Sequence, residues 1–228
     1  MNRTLLYTTA TAMFLGLAAA PVLAQSNNTG NNNGTPNNAQ NIVDQSAQVV
    51  NQIEQNPKFD HLLKQAKGVF IVPTLSRGAF IVGGEGGQGV LMKHDSSGTW
   101  SDPAFMSIGS ISVGAQAGGE SGPVAMLLMT QNALNDFKGG NNFSIGPHSG
   151  LSIVNYSKQG EASAGKGDVI IWSAQSGAFA GASLKGADIS QDTGLDHSYY
   201  HKQVETQQIL NGRAHNESAM KLTNKLPS

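Results

Sequence analysis

The fold of this chain is decided by residues 68–73, GVFIVP, and residues 82–92, VGGEGGQGVLM. Short apolar runs bounded by glycine, proline and Asp/Ser clusters predict strands, and the polar run at residues 95–98 predicts the turn that follows them. Glycines inside such runs are typical of places where two backbones approach closely or where a sheet bends. We therefore expect a tightly curved, glycine-rich sheet at the centre of the molecule.

The same glycines form a misleading motif. Gly84, Gly86 and Gly89 match GxGxxG, the dinucleotide-binding pattern, which requires a helix to begin at the glycines so that its N-terminal amides meet the pyrophosphate. Here Val90, Leu91 and Met92 continue a strand instead, and no Gly-Lys pair is followed by Ser or Thr. We expect neither a nucleotide nor any other cofactor.

The N-terminus has the pattern of a secretory signal. Arg3 precedes an apolar run that ends at Ala20, and Val22-Leu23-Ala24 fits the small-x-small cleavage rule, so residues 1–24 are predicted to be removed. The chain has no cysteine, which excludes disulfides and thiolate metal sites. We expect an exported protein, periplasmic or secreted, that relies on its own core.

Two regions follow the signal. Residues 25–41 contain eight asparagines and can bury little apolar area, which predicts a disordered linker. Residues 42–228 have the length of a single domain. Cleavage after Ala24 leaves 13 basic against 15 acidic residues, and we expect no nucleic-acid partner.

The predicted fold class is α+β. Residues 42–55 have the apolar spacing of an amphipathic helix, and Asn56 with Pro57 predicts the start of a second, short helix. Later apolar runs predict further strands, the alternating patterns favour antiparallel pairing, and a helix is expected over 196–225. The expected architecture is a mostly antiparallel curved sheet or barrel, flanked by N-terminal helices and a C-terminal helix. The later predicted strands are residues 124–129, 143–145, 151–153, 169–172 and 179–184.

One stretch combines positive charge with a neighbouring apolar helix. Positions 57 to 80 contain four basic residues and one acidic residue, Asp60, which gives a local charge of +3. Each such charge near an anionic bilayer contributes about 1 kcal/mol. Val49 and Ile53 of the first helix would each add about 1.5–3 kcal/mol if they entered lipid, but nothing if they are packed on the sheet. The predicted lipid-binding residues are Lys58, Lys64, Lys67, Arg77, Val49 and Ile53.

Two other functions remain open at this stage. His197, His201 and Glu205 are spaced i, i+4, i+8 and would share one helix face, which can hold zinc in a metal-dependent hydrolase, although an exposed polar face has the same pattern. No GxSxG elbow or defined acid/base pair occurs, so we expect no enzymatic activity. The remaining alternative is an envelope structural or protein-interaction module that displays its sheet to a partner.

Several motifs in one order resemble the SYLF domain, over about residues 42–210. They are residues 66–73, the glycine-rich residues 82–91, WSDPAF at 100–105, residues 114–119 and GAFAG at 177–181. The resemblance implies a lipid-binding module. Eukaryotic members resemble phosphoinositide binders, in fungi with a link to actin, whereas bacterial members are exported and have no assigned enzyme activity.

The sequence departs from that pattern at three positions. Ala174, Ser176 and Glu85 stand where relatives often have basic residues. Basic residues at those positions therefore cannot supply a lipid contact here, which leaves the lysines and the arginine named above as candidates. The resemblance implies a phospholipid membrane surface as the partner, and actin is not an expected partner in a periplasm.

Overall fold

A computed structural model describes residues 36–79, 82–113, 120–139, 143–145, 149–157, 167–174, 184 and 186–228. The predicted signal, most of the predicted linker, the glycine-rich motif at 114–119 and residues 179–183 lie outside the described residues. Where the chain is described, no helix has the length and apolar character needed to cross a bilayer.

Within the described residues, eight strands and six α-helices follow one another in a defined order. The helices are α1 (Pro36–Glu54), α2 (Pro57–Gln65), α3 (Gln131–Lys138), α4 (Thr193–Tyr200), α5 (Thr206–Leu210) and α6 (Met220–Thr223), with a 3-10 turn at Glu217–Ala219. The strands are β1 (Gly68–Ala79), β2 (Val82–Lys93), β3 (Ala104–Val113), β4 (Glu120–Leu128), β5 (Phe143–Ile145), β6 (Ile153–Ser157), β7 (Val169–Ser173) and β8 (Ala187–Gln191). The predicted α+β class is confirmed.

The strands form one sheet in the order β5-β8-β3-β2-β1-β4-β7-β6, antiparallel except between β6 and β7. Strands β5 and β6 are consecutive in the chain yet occupy opposite ends of this order. Eight residue steps join Ile145 to Ile153 and span at most about 28 Å, whereas the edges of a flat eight-stranded sheet would lie about 34 Å apart. The sheet must therefore curl, as the sequence predicts.

Glycines of β2 let its backbone approach β1. A Cβ on Gly89 would lie 2.1 Å from Ile71 O, and one on Gly87 would lie 2.7 Å from Thr74 O. Both sit beside an irregularity in the β1–β2 register between Ile71 and Ser76. The GxGxxG glycines therefore belong to a strand, which confirms the prediction against a nucleotide-binding turn.

Helix α1 covers one face of the sheet. It packs on β1, β2 and β4 and also contacts α2, α4 and α6. The helix begins at Pro36, and Ala39 is fully buried, so residues 36–41 belong to the folded domain and not to the linker that the sequence predicts there. An apolar stripe on this helix gains more from burial against the sheet than an exposed linker would gain in chain entropy.

Helix α2 follows after a sharp corner. The Asn56 side chain accepts a hydrogen bond from the backbone N–H of Lys58, and Pro57 occupies the first turn, as predicted. Phe59 is fully buried and meets Trp172 of β7 edge-on, with ring centroids 6.4 Å apart. This contact fixes α2 beside the sheet and leaves its lysines at the surface.

The C-terminal region is not one helix. It consists of α4, α5, the 3-10 turn and α6, because the chain turns sharply at His201 (φ 56°) and at Gly212 (φ 75°). Ile209 and Leu210 are nevertheless buried, and Val204 is partly buried against the core. The short helices pack on β3 and α1.

Candidate functional site

One end of the sheet carries a groove that brings three lysines together. The cavity measures about 690 Å³, and its lining includes Lys64 from the last turn of α2, Lys67 from the α2–β1 turn and Lys93 from the end of β2. Asp95 and Gln131 also line it. We call this feature the lysine groove.

Backbone hydrogen bonds explain why these lysines meet. The N–H of Lys67 donates to Leu128 O of β4 over 2.7 Å, and the N–H of His94 donates to Lys67 O over 2.9 Å. In the antiparallel register, Gly68 lies opposite Lys93. The α2–β1 turn is thus held between the ends of β2 and β4, which sets Lys67 beside Lys93.

The three lysines differ in their surroundings. Lys64 Nζ lies 2.8 Å from Asp60 Oδ2, and 48 % of its side chain stays exposed. Lys93 Nζ donates to Asn211 Oδ1 over 3.3 Å, and Lys67 is exposed. An exposed i,i+4 ion pair contributes about 0.3–0.5 kcal/mol, so Lys64 can exchange Asp60 for an external anion at small cost.

Asp95 places a negative charge in the same groove. Its Oδ1 accepts hydrogen bonds from the Ser97 hydroxyl (2.7 Å) and from the backbone N–H groups of Ser97 and Thr99 (both 2.9 Å). The hydrogen bond from the Ser97 side chain, together with the one from Thr99, holds the pKa of Asp95 below its usual value. The carboxylate therefore stays ionised at neutral pH and opposes the lysines.

The structure does not bring all predicted lipid-binding residues together. Lys58 is exposed on the first turn of α2 but does not line the groove. Arg77 lies ten residues from Lys67 along β1, which corresponds to about 33 Å of strand. Its register neighbours are Glu85 on β2 and Glu120 on β4, both acidic.

The apolar part of the predicted lipid-binding surface is corrected. Val49 is 3 % exposed and Ile53 is fully buried, and both belong to the side of α1 that is part of the core. Their burial against the sheet removes the same apolar area from water that lipid would remove, so in this fold they present nothing to a membrane.

Sequence reasoning missed Lys93. This residue follows the apolar run that ends at Met92, and nothing in the local pattern sets it apart from an ordinary exposed strand end. Pairing the β1 and β2 runs as a hairpin would have placed it opposite Gly68 and hence next to Lys67. The pairing register of β1 and β2, and not the local composition, identifies Lys93 as a neighbour of Lys67.

The zinc hypothesis fails on geometry. His197 lies in α4, His201 is the left-handed residue that follows this helix, and Glu205 is the N-cap before α5, so the three do not share a helix face. Within the described ranges, no three His, Asp or Glu side chains come close enough together to hold a metal ion.

Residues 100–105, WSDPAF, anchor the C-terminal region to the sheet. The indole N–H of Trp100 donates to Pro227 O over 2.7 Å. Asp102 Oδ2 accepts from the backbone N–H of Asn216 (2.8 Å) and lies 2.9 Å from His215 Nδ1. These polar atoms serve as attachments and leave no arrangement of nucleophile and base.

Two further attachments are buried. The Tyr200 hydroxyl donates to Pro103 O over 2.7 Å, and the N–H of Phe105 donates to Asp196 Oδ1 over 2.9 Å. Gln191 Nε2 donates to the other Asp196 oxygen over 2.6 Å. Burial raises the pKa of Asp196 to about 7, against the pull of these two hydrogen bonds.

The fold is thus a curled sheet with helices packed on its surface and with a cationic groove at one end. The chain belongs to the Ysc84 family, described as Las17-binding protein actin regulator, whose model matches residues 109–228. This confirms the SYLF resemblance. The matched range covers β4, α3 and the C-terminal helices but not the three lysines of the groove.

Relatives carry this domain within longer chains. LAS seventeen-binding protein 3 of Saccharomyces cerevisiae is 29 % identical over 157 residues, which is 67 % of this chain and 34 % of the relative. Protein YSC84 of the same yeast is 28 % identical over 158 residues, again 67 % of this chain and 34 % of the relative. The human SH3 domain-containing YSC84-like protein 1 is 22 % identical over 192 residues, 79 % of this chain and 56 % of the relative.

The chain thus spans about a third of the length of the yeast relatives that it matches. No solved structure matches it. Of these three relatives, LAS seventeen-binding protein 3 is named for binding another protein.

Proposed function

We propose that this domain is a non-enzymatic module that docks reversibly on anionic phospholipid membranes through the lysine groove. The observation that carries the proposal is the convergence of Lys64, Lys67 and Lys93 at one exposed end of the sheet. The lipid-binding character that the SYLF resemblance implies, including phosphoinositide binding in eukaryotic members, supports the choice of partner.

The charges predict weak, salt-sensitive binding. Three lysines near an anionic bilayer contribute about 3 kcal/mol, and Asp95 with Asp60 offsets about 2 kcal/mol of this. About 1 kcal/mol remains from the groove itself. Because the apolar face of α1 is packed on the sheet, this face adds nothing to the value.

The test is co-sedimentation of the purified protein with liposomes, with and without anionic lipid, at low and high salt. We expect recovery only with anionic lipid, and a loss of recovery as salt rises. Equal, salt-insensitive recovery on neutral vesicles would remove the electrostatic mechanism, and no recovery on any vesicle would end the proposal.

A charge reversal locates the contact. Lys64→Glu with Lys67→Glu changes the local charge by four units and is expected to reduce liposome binding at least tenfold. Lys138→Glu with Lys202→Glu makes the same change in total charge, and neither lysine lines the groove. A similar loss in both double variants would show that overall charge, and not this site, controls binding.

We also propose that the protein is exported, as the signal pattern over residues 1–24 indicates. N-terminal sequencing of the mature protein should begin at Gln25. A mature chain that retains residues 1–24 would contradict this proposal and would return intracellular partners to consideration.

A protein partner is the second candidate, because the family is described as Las17-binding and one matched yeast relative is named LAS seventeen-binding protein 3. This alternative predicts a stable partner in pull-downs and no response to lipid. The same double variant separates the two functions, since a partner bound elsewhere on the domain would be retained when liposome binding is lost.

A further inference from the structure

Another cavity lies at the corner between α1 and α2, beside the end of β7. It measures about 570 Å³, a size typical of small-molecule sites, and it shares no lining residue with the lysine groove. We call it the corner pocket. The lining residues that matter here are Gln52, Gln55, Asn56, Phe59 and Trp172.

The lining of the corner pocket is uncharged. Among the described residues that form it there is no lysine, arginine, histidine, aspartate or glutamate, whereas three lysines and an aspartate line the lysine groove. Binding a charged group there would remove its water without supplying an opposite charge. The lining therefore favours a neutral ligand.

The polar atoms of the pocket are mainly carboxamides. Gln52 and Gln55 are exposed at the end of α1, and each side chain carries two N–H donors and a carbonyl acceptor. The Asn56 Oδ1 atom accepts from the N–H of Lys58 over 3.1 Å, so Asn56 can offer a ligand its NH₂ donors. Hydroxyl groups also both donate and accept, and they match such a set of partners.

The buried side of the pocket is aromatic. Phe59 is fully buried and meets Trp172 edge-on, which fixes the position of the indole. Only 7 % of Trp172 is exposed, so the pocket presents a narrow apolar strip and not a whole ring face. Such a strip can contact aliphatic C–H groups, but it is too small for a flat aromatic ligand to stack on.

We propose that the corner pocket binds a neutral sugar ring. A pyranose combines aliphatic C–H groups with several hydroxyls, which corresponds to an apolar strip bordered by carboxamides. This inference goes beyond the proposed function and uses a different site. Asn56 caps the first turn of α2 and Lys64 lies in its last turn, so the length of this nine-residue helix, about 13.5 Å, separates the pocket from the lysine groove.

Nuclear magnetic resonance of the ¹⁵N-labelled protein can test the proposal, because the two indole N–H groups report on different places. The probes are methyl glucopyranoside, methyl galactopyranoside and N-acetylglucosamine. We expect at least one of them to shift the Trp172 indole signal with a dissociation constant on the order of 1 mM, as is typical of a ligand of about 13 non-hydrogen atoms. The Trp100 indole, which donates to Pro227 O, should not shift. No Trp172 shift with any probe at about fifty times that concentration would overturn the proposal.

A pair of substitutions locates the contact. Gln52→Ala with Gln55→Ala removes two exposed carboxamides, and the loss of about one hydrogen bond from each should weaken sugar binding about fivefold or more. Gln45→Ala with Gln48→Ala is the matched control, since both residues are exposed on α1 and neither lines the pocket. We expect the control to bind as the unsubstituted protein does. Equal binding by the two double variants would overturn the assignment.

Charged and peptide-like probes test the ligand class. Glucuronate, an anion, and glucosamine, a cation at mildly acidic pH, should bind no more tightly than the neutral sugars. A preference of more than about threefold for either would show that the pocket recognises a charge and would overturn the inference. N-methylacetamide imitates a peptide bond, and a shift of the Trp172 signal equal to that caused by a sugar would assign the pocket to peptides instead.

The sugar site and the proposed membrane contact can fail separately. Lys64→Glu with Lys67→Glu should lose liposome binding and keep sugar binding, because neither lysine lines the corner pocket. A protein that binds sugar but no vesicle would contradict the proposed function alone. Loss of sugar binding in this lysine variant would place the sugar outside the corner pocket and would overturn the inference.

Discussion

Gly89→Ala tests whether close backbone approach, and not nucleotide binding, explains the glycines of β2. The added methyl carbon would lie 2.1 Å from Ile71 O and 2.9 Å from Ile71 C, whereas ordinary contact begins at 3.4 Å. Both obstructing atoms belong to the backbone of β1. The strands would therefore have to separate locally by more than 1 Å, because no side-chain rotation can relieve the overlap.

The cost can be estimated from this geometry. Overpacking costs about 1–3 kcal/mol, and the loss of one or two β1–β2 hydrogen bonds adds about 0.5–1.5 kcal/mol each. Replacing glycine restricts the unfolded chain and returns about 0.4–1 kcal/mol. We expect the free energy of unfolding to fall by about 2–4 kcal/mol, a large share of the 5–15 kcal/mol that stabilises typical domains.

The assay is urea unfolding followed by tryptophan fluorescence, since Trp100 and Trp172 are both buried. Gly84→Ala is the matched control: it lies on the same strand and in the same GxGxxG motif, and its Cβ would meet nothing within 4 Å. We expect its free energy of unfolding to stay within about 0.5 kcal/mol of that of the unsubstituted protein. Equal effects of the two alanines would refute the reasoning.

Two further predictions concern the C-terminal attachments. Trp100→Phe removes the indole hydrogen bond to Pro227 O but keeps a ring that can stack on His94. This substitution should lower the free energy of unfolding by about 1–2 kcal/mol and increase amide hydrogen exchange in residues 220–228. Unchanged exchange in these residues would contradict the prediction. Burial raises the pKa of Asp196 to about 7, so between about pH 4 and 7 the native state keeps a proton that the unfolded state has released. The stability that this group contributes is therefore complete below about pH 4 and is lost as the pH rises through 7. Unfolding free energies measured from pH 5 to 8 should fall with pH in the unsubstituted protein and fall less in Asp196→Asn; parallel curves would exclude Asp196 as the cause.

The parts of the fold that sequence predicted are those that local chemistry determines. Asn56 caps α2 as its side chain indicates, and the apolar run at residues 124–128 is a strand that is fully buried. In each case the deciding interaction lies within a few residues along the chain. Such patterns predict helix starts and strands without knowledge of the tertiary structure.

The parts that sequence could not predict depend on contacts between distant segments. The start of α1 at Pro36 depends on the burial of its residue Ala39, although the asparagines around Ala39 favour disorder. The separation of Arg77 from the lysines depends on the length of β1, and the meeting of Lys67 with Lys93 depends on the β1–β2 register. The local charge of residues 57–80 groups Arg77 with Lys64 and Lys67, whereas the sheet places Arg77 toward the other end of β1.

The WSDPAF motif shows why a characteristic sequence need not mark a catalytic site. Its indole nitrogen and its carboxylate hold Pro227 and Asn216, and the Pro103 carbonyl and the Phe105 N–H both hold α4. Substituting Trp100 or Asp102 would loosen the segment that supplies Asn211, the residue that accepts the hydrogen bond from Lys93. The motif therefore acts on the lysine groove indirectly, by fixing the surface against which one of its three cations is positioned.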